Sequence, residues 1–278
     1  MTSALRDSGF LLVKTNLLPL ELQQRVIRAS CQFLSSNSDA VISHPSDPKT
    51  YAMLQGGVED LLKSTTEKDI VKPLTEWYCA LRRAKAILLR CIAVGLELDD
   101  PDLFCKLHSE DNDALRLLSY PPTQNRGNRC KEHSDYGTLT LLLNDGVSGL
   151  EAFVHDQWLP IPYVEGHVLV NVGSLLSDWT GQQLKATLHR VAGPASVGSQ
   201  TEKQELEESI SVTRTSVAYF ADPNEDVSAA FGEDDLGMSV AQYIHFRSGG
   251  NSRSRTGIAL TSTEESRLVS AEGNDGCV

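Results

Sequence analysis

No stretch of this 278-residue sequence comes near the roughly 20 consecutive apolar residues that a membrane-spanning helix needs. The opening Met-Thr-Ser-Ala-Leu-Arg-Asp also lacks a basic segment leading into an apolar one, so the expectation is a cytoplasmic protein with no membrane partner. Basic residues are in short supply: 25 Lys and Arg stand against 37 Asp and Glu, a net charge of -12. With no basic stripe to offset that balance a phosphate backbone is repelled, and nucleic acid is not an expected partner. The six cysteines, at 31, 79, 91, 105, 130 and 278, include no C-x-x-C pair. That spacing argues against zinc, and a reducing compartment argues against disulfides. Their mostly apolar, helix-like surroundings suggest small buried hydrophobes. No internal repeat is visible.

What is present is enough apolar residue to build a core: 40% hydrophobic and 22% charged are ordinary globular values. Gly9 to Lys14 reads as a short strand. Leu20 to Leu34 carries Leu22, Val26 and Ile27, then Phe33 and Leu34, at helical spacing. Residues 36 to 56, rich in Ser, Asn, Asp, Pro and Gly, read as a loop. Between Pro73 and Gly95, Leu74, Trp77, Tyr78, Leu81, Leu88, Cys91 and Ile92 form one helical face and Arg82, Arg83 and Lys85 the other. From about Ala114 the texture changes to short apolar runs broken by turn residues: Leu115 to Tyr120, Gly137 to Leu143, Gly149 to Val154, His167 to Val172 and Val212 to Phe220. Such spacing predicts an all-β sandwich or barrel with helices packed outside it. Residues 193 to 210 are polar and acidic and predict a mobile loop bordering two strands. The tail after about Thr261 has the same texture.

His133 and Asp135 lie two apart, so an extended backbone puts them on one face. Alone, such a pair has many bland explanations. A third ligand must come from elsewhere, and His189 follows after two or three strands that could return the chain to the same mouth. Two histidines and one carboxylate on one face suit oxygen-activating iron(II), because three positions stay open, whereas a closed zinc site wants a fourth protein ligand. Alternation along Arg214 to Phe220 places Arg214, Ser216, Ala218 and Phe220 together. A buried guanidinium with a hydroxyl beside it makes a carboxylate anchor; a surface salt bridge is the bland alternative. Of the other histidines, His167 is the one rival third ligand, while His44, His108, His155 and His245 have no partner at ligand spacing.

These residues sit in a longer series: Gly9-Phe-Leu-Leu-Val-Lys, Leu115-Arg-Leu-Leu-Ser-Tyr-Pro-Pro, the run from His133 to Asp145, Gly149-Leu-Glu, Trp158-Leu-Pro-Ile-Pro, Val170-Asn-Val-Gly-Ser-Leu-Leu, Trp179 to Val191, and Arg214-Thr-Ser. In that order, over most of residues 9 to 225, the chain resembles the isopenicillin N synthase-like family of Fe(II)/2-oxoglutarate-dependent dioxygenases. The resemblance implies a mostly β fold with flanking helices and a double-stranded β-helix (jelly-roll) core. It implies one oxygenase domain over 1–265, with a helical part at 1–110 and the jelly-roll core at 111–260, and a disordered tail at 266–278. It implies that His133, Asp135 and His189 bind Fe(II), that Arg214, Ser216 and Tyr120 hold 2-oxoglutarate, and that Phe220, Leu118 and Tyr136 line the substrate pocket. Charges balance in that reading: iron at +2, Asp135 at -1, 2-oxoglutarate at -2 and Arg214 at +1 sum to zero, which limits the desolvation cost.

The family often carries Asn where this chain has Leu118 and Asp where it has Ser174, and its N-terminal segment is longer and its loop at 193–210 shorter. The expected reaction is oxidation of a small molecule of the secondary-metabolite kind by dioxygen with 2-oxoglutarate: hydroxylation, desaturation or ring closure. The alternatives are an oxidase of the isopenicillin N synthase type, in which Arg214 and Ser216 grip the substrate instead, and a catalytically silent metabolite-binding relative.

Overall fold

In the computed structural model, residues 1–43, 47–54, 58–110, 112–123, 127–193, 212–229 and 238–247 are described. The first part of the chain forms α1 (Thr2–Asp7), β1 (Phe10–Val13), α2 (Leu20–Ser36), β2 (Ile42–Ser43), β3 (Thr50–Leu54), α3 (Val58–Ser64), α4 (Lys68–Gly95) and α5 (Leu103–Lys106). Then follow β4 (Ala114–Tyr120), β5 (Cys130–His133), β6 (Leu139–Asn144), β7 (Leu150–Val154), β8 (Gln157–Pro160), β9 (Val168–Val172), α6 (Ser174–Trp179), β10 (His189–Val191), β11 (Arg214–Ala221) and α7 (Val240–Arg247). All strand pairs among the described residues are antiparallel. A large sheet runs β1-β9-β6-β11-β4-β3-β2 and a small one β5-β10-β7-β8.

Side-chain alternation decides what each face of the large sheet meets. On β4, Leu115 and Leu117 point outward, as do Leu141 and Leu143 of β6, Val217 and Tyr219 of β11, and Val168, Val170 and Val172 of β9. Against that face lie α2, through Val26 and Phe33, and α4, through Trp77, Leu81 and Leu89, all fully buried. A side chain of this kind contributes about 1.5–3 kcal/mol when removed from water. The opposite face presents Leu118, Tyr120, Leu169 and Ala218 to Cys130, Leu150, Ala152 and Val191 of the small sheet. The two sheets therefore enclose a second, smaller core, and the architecture is a jelly roll with helices packed on one outer face.

Several expectations change in detail. The segment 36–56 is not all loop, because Thr50–Leu54 adds a strand beside β4, with Tyr51 opposite Leu118. Its period is obscured by Pro and Asp on the N-terminal side. The long helix begins at Lys68, five residues before Pro73, since an imino acid in the second turn removes one backbone bond without stopping the helix. Four strands and a short helix, not two or three strands, separate Asp135 from His189. The cysteines are less buried than expected: Cys31, Cys79 and Cys91 are exposed, Cys105 is half-buried and Cys130 alone is buried among the described residues. All five described thiols are free. No described helix is long and apolar enough to cross a membrane. The expectations for 193–210 and for the tail beyond 261 fall, apart from residue 193, outside the described residues.

Candidate active site

Three side chains from two strands and a turn converge at one end of the inter-sheet space. β5 and β10 pair with His133 opposite His189, which brings the imidazole centroids to 4.4 Å. Asp135 follows β5 by two residues and turns its Oδ1 toward both rings, 3.9 Å from Nε2 of His133 and 3.8 Å from Nε2 of His189. The three ligand atoms lie within 4.8 Å of one another. Each histidine has its other nitrogen next to a main-chain carbonyl: Nδ1 of His133 is 2.7 Å from the oxygen of Lys131, and Nδ1 of His189 is 3.1 Å from that of Thr187. A carbonyl can only accept, so Nδ1 carries the proton and Nε2 offers a lone pair to the shared centre.

Asp135 is fixed in the same manner. Its Oδ2 accepts hydrogen bonds from the Thr140 hydroxyl and, at 2.7 Å, from the Asn171 amide, leaving Oδ1 for the centre. Burial opposes ionisation of this carboxyl, yet His189, His133 and the two donors outweigh it and hold its pKa below the usual carboxylate value. Burial pushes His189 down, toward the neutral ligand form. The donor set fits a divalent iron: two neutral imidazole nitrogens and a carboxylate oxygen from one side, with the remaining positions unclaimed by the described residues.

Farther along the same space, β11 carries Arg214, 1% exposed. Its Nε donates to the carbonyl of Val147 at 3.2 Å, one terminal nitrogen donates to the Ser216 hydroxyl at 3.3 Å, and its guanidinium lies 5.1 Å from the centroid of the Tyr120 ring. No carboxylate among the described residues pairs with it. The nearby Asp145 carboxylate already accepts from the backbone N–H groups of Thr215 and Val147. A buried guanidinium without a counter-charge is costly, and a ligand carboxylate is what would neutralise it.

The space between these ends is a cavity of about 80 Å³ that opens to solvent. His133, Asp135, His189, Arg214, Ser216, Tyr120, Leu118 and Phe220 all line it. Tyr136 does not; its ring lies against Arg247, whose guanidinium is 5.4 Å from the ring centroid, because the turn after Asp135 faces α7. His167 is also elsewhere, its Nδ1 3.0 Å from the carbonyl of Glu165. His108 sits in a separate buried contact and His155 beside Asp7 at the surface. The sequence reading missed Thr140 and Asn171, of which a lone Asn within the apolar strand Val168–Val172 was the available signal. It also missed Lys49, Arg116 and Cys130. Lys49 bonds both Asp47, at 3.0 Å, and the Cys130 sulfur, at 2.8 Å, and comes from a segment with no periodic signal. Burial disfavours its charge, but Cys130 and Asp47 more than offset this and raise its pKa.

The sequence profile of the 2OG-Fe(II) oxygenase superfamily matches residues 111–223, which include all three converging side chains and the Arg214 strand. Over that stretch the chain is similar to the 2OG-Fe(II) oxygenase superfamily. That superfamily uses iron(II), 2-oxoglutarate and dioxygen. Among its relatives, the 2-oxoglutarate-dependent dioxygenase htyE of Aspergillus rugulosus is 40% identical over 161 residues, covering 54% of this chain and 46% of that protein. Proline hydroxylase buaE of Petromyces alliaceus is 36% identical over 152 residues, covering 51% and 44%. The chain thus matches less than half the length of these curated relatives. Among solved structures, a full-length Neurospora crassa protein in complex with alpha-KG superimposes with a TM-score of 0.75 over 90% of this chain and 89% of that one. At 21% identity that likeness bears on the fold.

Proposed function

We propose that this oxygenase uses iron(II) and 2-oxoglutarate to oxidise a small molecule. His133, Asp135 and His189 would hold the metal, and Arg214, Ser216 and Tyr120 would hold the distal carboxylate of 2-oxoglutarate. The observation that carries the reading is a three-atom candidate ligand set and a buried guanidinium with no ion-pair partner among the described residues, both lining one cavity. When bound, the iron supplies activation of dioxygen coupled to conversion of 2-oxoglutarate to succinate and carbon dioxide. The protein's own share is orientation and exclusion of water. Nδ1–H donation to the carbonyls of Lys131 and Thr187 aims both rings, Thr140 and Asn171 aim Asp135, and the apolar walls Leu118, Leu142, Leu150 and Leu169 keep the space dry.

A small-molecule substrate is supported by one relative, which is named as a proline hydroxylase. We read residues 1–265 as one oxygenase domain, since β1 and β3, from the helical N-terminal part, pair with β9 and β4 of the large sheet. The test is stoichiometric: each turnover should consume one 2-oxoglutarate and release one succinate and one carbon dioxide. Replacing any of His133, Asp135 or His189 by Ala should abolish high-affinity iron binding in an anaerobic titration, while His167→Ala leaves it unchanged. Turnover without 2-oxoglutarate would transfer the protein to the oxidase reading, with Arg214 gripping the substrate itself. Iron binding without any dioxygen consumption across a broad panel of small molecules would favour a silent binding relative.

A further inference from the structure

Arg116 is a cation of this cavity for which the reaction above has no use. On β4 its Cα stands opposite Ala218 of β11 and Met53 of β3, and alternation turns its side chain into the cavity with Leu118 and Tyr120. Its guanidinium carbon lies 5.1 Å from the ring centroid of Tyr51 and 5.1 Å from that of Phe220. Two aromatic rings beside one planar cation hold its orientation and leave its N–H edge as the part able to take a ligand. Its Nε is buried with no hydrogen-bond partner among the described residues. The buried Asp222 carboxyl feels its charge, but no described carboxylate lies within ion-pair distance of it.

The charges of the cavity make this cation conspicuous. Lys49 is paired with Asp47. The metal, Asp135, 2-oxoglutarate and Arg214 sum to zero. Arg116 has Asp222 in its field but no ion-pair partner among the described residues. Its backbone is also removed from that of the co-substrate anchor: Arg214 stands opposite Tyr120, and Arg116 lies four residues earlier on the same strand, about 13 Å along it at 3.3 Å per residue. Around Arg116 the walls are apolar, from Leu118, Leu142 and Phe220.

We propose that Arg116 receives a carboxylate of the organic substrate, so that the substrate class of this oxygenase is a small carboxylic acid with a compact apolar body. The inference rests on the oxygenase reading. A guanidinium offers paired N–H donors that match a carboxylate, and a charged hydrogen bond in a dry pocket discriminates strongly against a neutral amide of the same shape.

The experiment is calorimetric titration of the anaerobic protein, loaded with iron(II) and saturating 2-oxoglutarate, with benzoate and cyclohexanecarboxylate against benzamide and cyclohexanecarboxamide. The acids should bind saturably and roughly ten-fold or more tightly than their amides. Arg116→Gln should remove that preference, and Arg116→Lys should keep part of it, because an ammonium retains charge without the paired donors. Affinity for 2-oxoglutarate should stay within about three-fold of wild type in both variants, whereas Arg214→Ala should lower it far more. Equal binding of acids and amides, absence of saturable acid binding, or a preference surviving in Arg116→Gln would overturn the proposal. So would a loss of 2-oxoglutarate affinity in Arg116→Gln as large as in Arg214→Ala. If Arg116→Gln does not fold, Arg116→Lys and the wild-type comparison of acids with amides decide. Failure of wild type to bind or consume 2-oxoglutarate marks failure of the oxygenase reading instead, and is visible before any acid is added.

Discussion

Arg214 shows how much one side chain is asked to do at the residue scale. It is 1% exposed, its two observed donations go to neutral oxygens, and it makes no ion pair among the described residues, although Asp145 lies in its field. Removing one partner of a desolvated charge pair costs on the order of 2 to 5 kcal/mol. Arg214→Ala should therefore lower affinity for 2-oxoglutarate by roughly thirty-fold to several thousand-fold, at about 1.4 kcal/mol per decade. Iron binding should remain nearly intact, and Arg214→Lys should recover part of the loss; titration of 2-oxoglutarate into the anaerobic iron-loaded protein reads both. A collapse of iron affinity in Arg214→Ala would mean that the guanidinium supports the fold of the centre and not a ligand. Leu118 has its counterpart at this scale. An apolar side chain, 6% exposed, lines the cavity there, so the wall beside Ser216 is hydrophobic and offers no hydrogen bond.

At the scale of elements, α6 and the turn after β5 are locked together through backbone atoms. The N–H of Gly173 donates to the carbonyl of Thr138 at 2.9 Å, that of Ser174 to Asp135 at 2.7 Å and that of Leu175 to Tyr136 at 3.2 Å. Three of the otherwise unsatisfied N–H groups of a helix start thus hold the turn that carries a candidate ligand. Ser174 adds a contact of 3.1 Å to the Ser134 hydroxyl. A Cβ on Gly173 would stand 2.2 Å from the carbonyl oxygen of Gly137 and 3.2 Å from that of Asp135, so the two backbones approach as closely as they do only because no side chain intervenes. Gly173→Ala should push the turn outward, cost about 1–3 kcal/mol of stability and lower iron affinity several-fold without touching a ligand. Unfolding in urea and an anaerobic iron titration measure the two effects. Unchanged iron affinity would show that the turn is not needed to aim Asp135.

Across the whole molecule, His108 ties α5 to the jelly roll. Its Nδ1 is 2.6 Å from the carbonyl of Phe104 and its Nε2 is 2.8 Å from the hydroxyl of Thr138, and burial pushes its pKa down to about 3. In the unfolded chain a histidine takes up its proton near pH 6.5. The unfolded state therefore binds more protons than the folded state between about pH 6.5 and pH 3, and stability falls as pH falls through that window. One group of this kind contributes a slope of at most about 1.4 kcal/mol per pH unit. His108→Gln should be less stable than wild type at neutral pH, having lost one of two buried contacts, yet its stability should decline less steeply toward acid. Parallel pH profiles of urea midpoints for the two proteins would rule out His108 as a source of the acid sensitivity.

How far each feature was legible in the sequence follows from the range of the interactions behind it. Strand β11 and its inward row Arg214, Ser216, Ala218 and Phe220 were readable because period-two alternation is local. So was the apolar face of α4, apart from its start, which Pro73 concealed. The spacing of His133 and Asp135 and a resemblance in ordered motifs named the candidate ligands. The pairing of His133 opposite His189, the grip of Thr140 and Asn171 on Asp135, and the placement of Tyr136 toward α7 were decided by tertiary structure alone, since each joins residues that come together only when strands from distant parts of the chain pair. Arg116 lay in plain view beside Leu118, on the face that alternation assigns to the cavity. That no described carboxylate answers it there could be learned only from the packing of Tyr51 and Phe220 around it, because a charge left uncompensated is a property of everything near it in space and not of its place in the chain.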